Sequence, residues 1–128
     1  MRIQSFRDLD VWQRGMSLVD AVYTCTRGFP RDELFGLTSQ SRRAAVSIPS
    51  NVAEGFNRHT TAAYTNHLSI ALGSAGELLT LLEIAARQQF LPRAESDRLQ
   101  TVVSELARML QALMNALERA KARRQSTI

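Results

Sequence analysis

The chain has 128 residues, of which 45% are hydrophobic, a size that suits one folded domain and a composition that argues against disorder. The lone Cys25 excludes an internal disulfide, and because no signal-type apolar run follows Met1, we expect a cytoplasmic protein. The formal net charge of +4 equals that of residues 119–128, which hold four cations and no acid, so basic character is confined to a C-terminal tail.

The first helix is predicted over about residues 6–27. Ser5 and Asp8 have the spacing of a capping box, which marks a helix start. Apolar residues then recur at alternating spacings of three and four, which predicts one face of a helix. This first stripe consists of Leu9, Trp12, Met16, Val19 and Tyr23. A second stripe contains Val11, Leu18 and Val22, and we expect it, or Leu72 and Leu79, to face another subunit.

The second helix is predicted over about residues 32–55, because Asp32 and Glu33 suit the positive end of a helix. Its apolar stripe contains Leu34, Leu37, Ser41, Ala44, Ile48 and Asn51. Pro49 lies inside this segment and cannot donate a hydrogen bond to the carbonyl of Ala45. We therefore expect a kink near Pro49.

Two further helices are predicted, over about residues 61–89 and 93–123, from apolar residues that keep four-three spacing. Gly73 and Gly76 weaken the third helix, which suggests that a neighbouring backbone comes close to them. Because no strand alternation is present and the connections are short, the prediction is an all-α, antiparallel up-down-up-down four-helix bundle in a single domain, residues 1–128, with a flexible basic tail.

Few residues in this pattern suit catalysis. No Glu-x-x-His pair accompanies His59 and His67, so we expect no metal, no cofactor and no enzymatic activity. Glu54 and Glu77 lie among small and apolar residues, and they form either a carboxylate pair or two separately paired carboxylates. We favour the second interpretation, with Arg42, Arg43 or Asn51 as partners.

Nucleic-acid binding is the function that the cations suggest. The candidate residues are Arg42, Arg43, Arg58, Arg119, Lys121, Arg123 and Arg124. Arginine forks suit phosphate, and tails gathered in an oligomer would form a basic rim. The alternatives are a solvated face for the arginines of the body, favourable placement of the tail cations at a helix C-terminus, and a structural scaffold or adaptor for a protein partner.

The sequence resembles the 23S rRNA intervening-sequence proteins. The resemblance is carried by Phe6-Arg7-Asp8-Leu9 with Val11-Trp12-Gln13, Phe29-Pro30, Phe35-Gly36-Leu37, the whole run from Gln40 to Gly55, and the run from Ile70 to Leu78. It implies a left-handed bundle that assembles as a homopentamer. A related branch, the accessory variability protein of diversity-generating retroelements, works with a reverse transcriptase and nucleic acid. The polar residues of these motifs are expected to have structural roles: Asn51, Glu54, Ser74 and Glu77.

Overall fold

The computed structural model describes residues 2–126, and their only regular structure is helical. Four α-helices dominate the fold: α1 (Asp10–Thr26), α2 (Ser39–Phe56), α3 (Thr61–Arg87) and α4 (Arg93–Ser126). Consecutive helices pack against each other, most extensively α2 against α3, and α1 also contacts α4. This confirms the prediction of an all-α protein with four helices.

Helix α1 buries the apolar stripe that we expected to face another subunit. Val22 is fully buried, and Val11 and Leu18 are buried with it in the common core. The stripe predicted to be the core is instead half-exposed, and Met16 retains 40% of its accessible surface. The expectation for these two stripes was wrong. Both stripes have helical spacing, so spacing could not distinguish them, and the larger side chains of the first stripe favoured it as the core. The buried face of α1 also contains Gly15, which has no side chain and therefore lets α2 approach closely.

The close approach of α1 and α2 occurs at Gly15 and Pro49. A Cβ placed on Gly15 would lie 3.3 Å from the Cβ of Pro49, so the proline ring packs directly against the α1 backbone. Helix α2 runs without interruption from Ser39 to Phe56 with Pro49 buried inside it. The proline therefore serves as a contact surface for α1, and the kink stays a prediction.

Helix α2 begins later than the acidic pair suggested. Arg31–Glu33 forms a 3₁₀ turn, and a π-helical turn, Leu34–Thr38, follows it. The Glu33 carboxylate accepts a hydrogen bond from the Leu37 backbone N–H at 3.1 Å, so it caps this turn. Leu34 is exposed and does not belong to the core, contrary to the predicted stripe, whereas Leu37 in the same turn is buried. The stripe was predicted from α-helical spacing, which a π-helical turn does not keep.

Helix α3 buries its heptad stripe as predicted, with Leu68, Ala71 and Ala75 in the core. Gly73 and Gly76 are on its exposed side, and a Cβ on either glycine would meet no atom within 4 Å. The expectation that a neighbouring backbone approaches them was therefore wrong. The close contact occurs at Gly55 of α2, where a Cβ would lie 2.9 Å from side-chain atoms of Tyr64 and His67.

Helix α3 is also long and apolar enough to cross a membrane by composition alone. Its apolar stripe packs against the other helices, and 39% of its most apolar window is buried. The helix ends in a backbone motif in which Gln89 has a positive φ of 64° and the Phe90 N–H donates to the Ala85 carbonyl. Glycine usually occupies such a position, so glutamine at residue 89 does not predict this turn.

Candidate nucleic-acid interface

The basic tail is helical as far as Ser126, whereas the fourth helix was predicted to end at about residue 123. Arg124 donates a hydrogen bond through Nη2 to the Thr61 hydroxyl at 3.1 Å. Thr61 is the first residue of α3, and the loop before it contains Arg58. The tail and Arg58 are therefore at the same end of the molecule.

Four of the predicted nucleic-acid-binding cations belong to this tail, and three of them are exposed: Arg119, Arg123 and Arg124. Lys121 is partly buried on the same helix. No acidic residue occurs from residue 119 to residue 126, although Glu118 directly precedes the segment. The arrangement is a concentration of positive charge that suits a polyanion.

Arg42 is held elsewhere, between α1 and α2. Its Nε donates to the Thr26 hydroxyl at 2.9 Å, and its guanidinium carbon lies 4.5 Å from the centre of the Tyr23 ring. Arg43 is its exposed neighbour in the sequence. Since α2 rises roughly 20 Å between Arg42 and its C-terminus, these two arginines are remote from Arg58 and the tail. The predicted cations thus form two separate groups.

The polar residues of the central motif form a hydrogen-bond network between α2 and α3. His67 Nδ1 is 3.1 Å from the Asn51 Oδ1, which assigns the ring proton to Nδ1. The Asn51 amide donates to the carbonyl and the hydroxyl of Ser47, and the Ser74 hydroxyl donates to the Ser47 hydroxyl at 2.8 Å. These contacts tie the two helices together at successive levels.

Glu54 joins the end of this network. Its carboxylate lies 3.5 Å from His67 Nδ1, and its side chain is 61% exposed. The partner is therefore His67, whereas the sequence suggested an arginine or Asn51. Periodicity alone could not show this, because His67 is on a different helix.

Glu77 is exposed on α3, and in the described part of the chain it forms no ion pair. The expected pairing with Arg42, Arg43 or Asn51 was wrong, because Glu77 projects from the solvent side of its helix. A Glu54–Glu77 carboxylate pair is also excluded, since Glu54 contacts His67 and Glu77 follows His67 by ten residues, roughly 15 Å along the helix.

The remaining reactive groups show no catalytic arrangement among residues 2–126. Burial raises the pKa of the Cys25 thiol to about 11, with a further contribution from Glu95, so the thiol is protonated at neutral pH. The Ser47 hydroxyl is bonded to Asn51 and Ser74, and neither group is a general base. No group of three potential metal ligands converges within these residues.

An apolar groove lies between α1 and α2, and the periodicity did not suggest it. It has a volume of about 390 Å³. Three members of the α1 stripe expected to be the core line it, Trp12, Met16 and Val19, together with Phe6, Val46 and Pro49. Phe6 and Trp12 contact each other edge to face, with ring centres 5.4 Å apart. Its walls suit an apolar protein surface better than they suit phosphate.

Comparison with known proteins supports the resemblance seen in the sequence. The profile of the 23S rRNA-intervening sequence proteins matches residues 7–112. A crystal structure from Bacteroides thetaiotaomicron, of a protein with unknown function from the S23 ribosomal protein family, superposes with a TM-score of 0.76. That alignment has 21% identity and covers 81% of this chain and 97% of the other, so it supports the fold alone. No curated protein is significantly similar in sequence. Because the profile matches most of its length, the chain belongs to the 23S rRNA-intervening sequence protein family.

Proposed function

We propose that this protein is a non-enzymatic, oligomeric bundle that binds the phosphate backbone of RNA or DNA through clustered cations. The observation that supports this most directly is the position of the basic end of α4. Arg124 reaches Thr61, so the tail cations and Arg58 lie around one end of the bundle. Such a cluster gains affinity for a polyanion because each neutralised phosphate releases counterions.

The bundle in this proposal is antiparallel and left-handed, as the resemblance implies. Three contacts between α2 and α3 support the antiparallel order, because the residue number rises on one helix as it falls on the other. The contacts are Gly55 with Tyr64, Asn51 with His67, and Ser47 with Ser74. The short connections 57–60 and 88–92 fit this order.

Assembly into an oligomer, a homopentamer by resemblance, is the second part of the proposal. The apolar groove and the exposed Met16 and Val46 beside it support an interface with another copy. The cytoplasm is the proposed location. In a ring, the basic tails of several subunits would be brought close together, which raises the local charge without any further cation in the sequence.

The test uses structured RNA, which the family name makes the first ligand to examine. The variant Lys121→Gln/Arg123→Gln removes two tail cations, and Arg14→Gln/Arg108→Gln removes two exposed arginines outside the tail. Retention of RNA is measured over a series of salt concentrations. The tail variant should reduce the slope of log K against log salt by roughly two, whereas the control should leave it close to that of the unmodified protein.

Equal losses in the two variants would show that net charge, rather than the tail, drives binding. Unmodified retention in both would exclude the tail as the interface. It would favour the alternative function, a scaffold or adaptor for a protein partner such as a reverse transcriptase. The apolar groove is the observation that supports this alternative, because apolar walls contribute little to binding a phosphate backbone.

A further inference from the structure

A second cluster of cations surrounds a cleft at the junction of α1 and α2. The cleft has a volume of about 400 Å³, within the range of small-molecule sites, and most of its lining surface is polar. Arg27, Arg31 and Arg42 line it, and no carboxylate does. Neither Arg27 nor Arg31 forms an ion pair with another described residue. The site therefore concentrates positive charge that no described side chain neutralises.

Arg42 is held in a fixed position at this cleft. Stacking on Tyr23 and the hydrogen bond from Nε to Thr26 leave its two terminal nitrogens without a hydrogen-bond partner among residues 2–126. A guanidinium fixed in this way presents two donors in one plane, the geometry that matches phosphate oxygens. Because the Arg42 side chain is already ordered, it loses little conformational entropy when a ligand binds.

Thr38 adds a hydroxyl group to the wall of the cleft. The residue is 4% exposed, and it is one of the residues that line the cleft. The nearest acid in sequence, Glu33, accepts a hydrogen bond from the Leu37 N–H and is not part of the lining. A hydroxyl that lines the same cleft as three arginines is a suitable donor to an anion oxygen.

We propose that this cleft binds the phosphate group of a nucleotide, with Arg27, Arg31 and Arg42 as its cations and Thr38 as a hydroxyl donor. Phe29 and Pro30 contribute an apolar wall that a ribose or a base can contact. The phosphate belongs either to a free nucleotide or to the 5′ end of a nucleic-acid strand. The site is separate from the basic tail, so it does not depend on the function proposed above.

Isothermal titration at low salt tests the site with AMP, with adenosine as the ligand that lacks the phosphate. AMP should bind saturably, inorganic phosphate should compete with it, and adenosine should bind at least tenfold more weakly, because charged hydrogen bonds supply most of the affinity. Equal binding of AMP and adenosine, or no binding of AMP, would overturn the proposal.

The variants locate the binding within the molecule. Arg31→Gln changes an exposed residue, so the variant should fold normally, and its affinity for AMP should be lower by about tenfold or more. Thr38→Val keeps the shape of the buried side chain and should also weaken AMP. Arg14→Gln makes the same charge change as Arg31→Gln outside the cleft, and it should bind AMP normally. If Arg14→Gln lowered the affinity for AMP as much as Arg31→Gln does, the binding would be explained by net charge and the proposed site would be refuted.

Short oligonucleotides with a 5′-phosphate or a 5′-hydroxyl distinguish the two sources of phosphate. A strand end is the source if the 5′-phosphorylated strand binds more tightly than AMP and Arg31→Gln removes that advantage. A free nucleotide is the source if AMP binds as tightly as the strand. The tail variant Lys121→Gln/Arg123→Gln should leave AMP binding unchanged. The experiments can therefore refute the proposal for the cleft and the proposal for the basic tail independently.

Discussion

At the scale of single residues, the run from Gln40 to Gly55 serves mainly to bring helices close together. Pro49 contacts α1 at Gly15, Gly55 contacts α3, and Asn51 connects Ser47 with His67. The small and polar residues that break the apolar pattern here are the ones that form contacts between helices. Because these residues contact neighbouring helices, the proposal places binding on the cations instead.

Gly55→Ala should lower the free energy of unfolding by about 1–3 kcal/mol, the usual cost of overpacking a tight contact. The added Cβ would lie 2.9 Å from the Cβ of His67 and the Cδ1 of Tyr64, and 3.2 Å from the Tyr64 carbonyl oxygen. The helices must separate to accommodate it. Urea unfolding followed by circular dichroism measures the change.

Gly73→Ala is the matched control on the exposed side of α3. Its Cβ meets nothing within 4 Å, and alanine favours the helix, so this variant should raise the free energy of unfolding by roughly 0.5–1 kcal/mol. A similar effect of the two substitutions would contradict the close contact at Gly55.

At the scale of the elements, the junction of α3 and α4 depends on Glu83. Its carboxylate accepts hydrogen bonds from Arg87, Arg93 and Gln100, the shortest at 2.7 Å from Arg93. Chiefly through the bond from Arg93, this set lowers the pKa of Glu83 from 4.5 to about 2. Ser96, buried in the first turn of α4, also donates to the Leu82 carbonyl at 2.8 Å.

Glu83 should make stability depend on pH in the acid range. Because its folded pKa is depressed, its contribution is complete above pH 4.5 and is lost as the pH falls towards 2. Glu83→Gln should therefore lower the melting temperature at pH 6, and the difference from the unmodified protein should shrink as the pH falls through that range. Thermal unfolding at a series of pH values measures this difference.

Glu77→Gln makes the same change of charge at a carboxylate that has no ion-pair partner among the described residues. Its melting temperature should stay close to that of the unmodified protein at every pH, and Glu77→Ala should likewise cost little. If the difference in melting temperature between Glu83→Gln and the unmodified protein stayed constant with pH, this would argue against the depressed pKa of Glu83.

At the scale of the whole molecule, the described surface retains several large apolar side chains. Phe35 is 93% exposed in the turn before α2, and Met16 and Val46 flank the apolar groove. Exposed apolar residues grouped around a groove are typical of surfaces that another protein covers. This supports the proposal that several copies assemble.

Sedimentation velocity at micromolar concentration should give about five times the chain mass of 14.3 kDa. Val46→Glu places a charge in the groove and should shift the protein towards the monomer, because a buried unpaired charge is costly. Ile84→Glu, at an equally exposed position on α3, is the control. If the unmodified protein sedimented as a monomer, the proposed assembly would be refuted. If only Ile84→Glu dissociated the oligomer, the interface would lie on α3 and not at the groove.

The sequence by itself determined the helical fold, because periods of three and four persist over every long segment. It also determined the core stripe of α3, which contains the buried Leu68, Ala71 and Ala75, and it indicated the family through the run from Gln40 to Gly55. It identified the basic tail from charge counting alone.

Only the tertiary structure decided which face of α1 is buried, because both of its stripes have helical spacing and the choice depends on Gly15 meeting Pro49. It also decided that Glu54 meets His67 and that Glu77 faces solvent. The arginine cleft could not be predicted, since Arg27 and Arg31 flank a turn and join Arg42 only after α1 and α2 pack. Periodicity fixes what one helix can bury, whereas contacts between helices depend on how their surfaces fit.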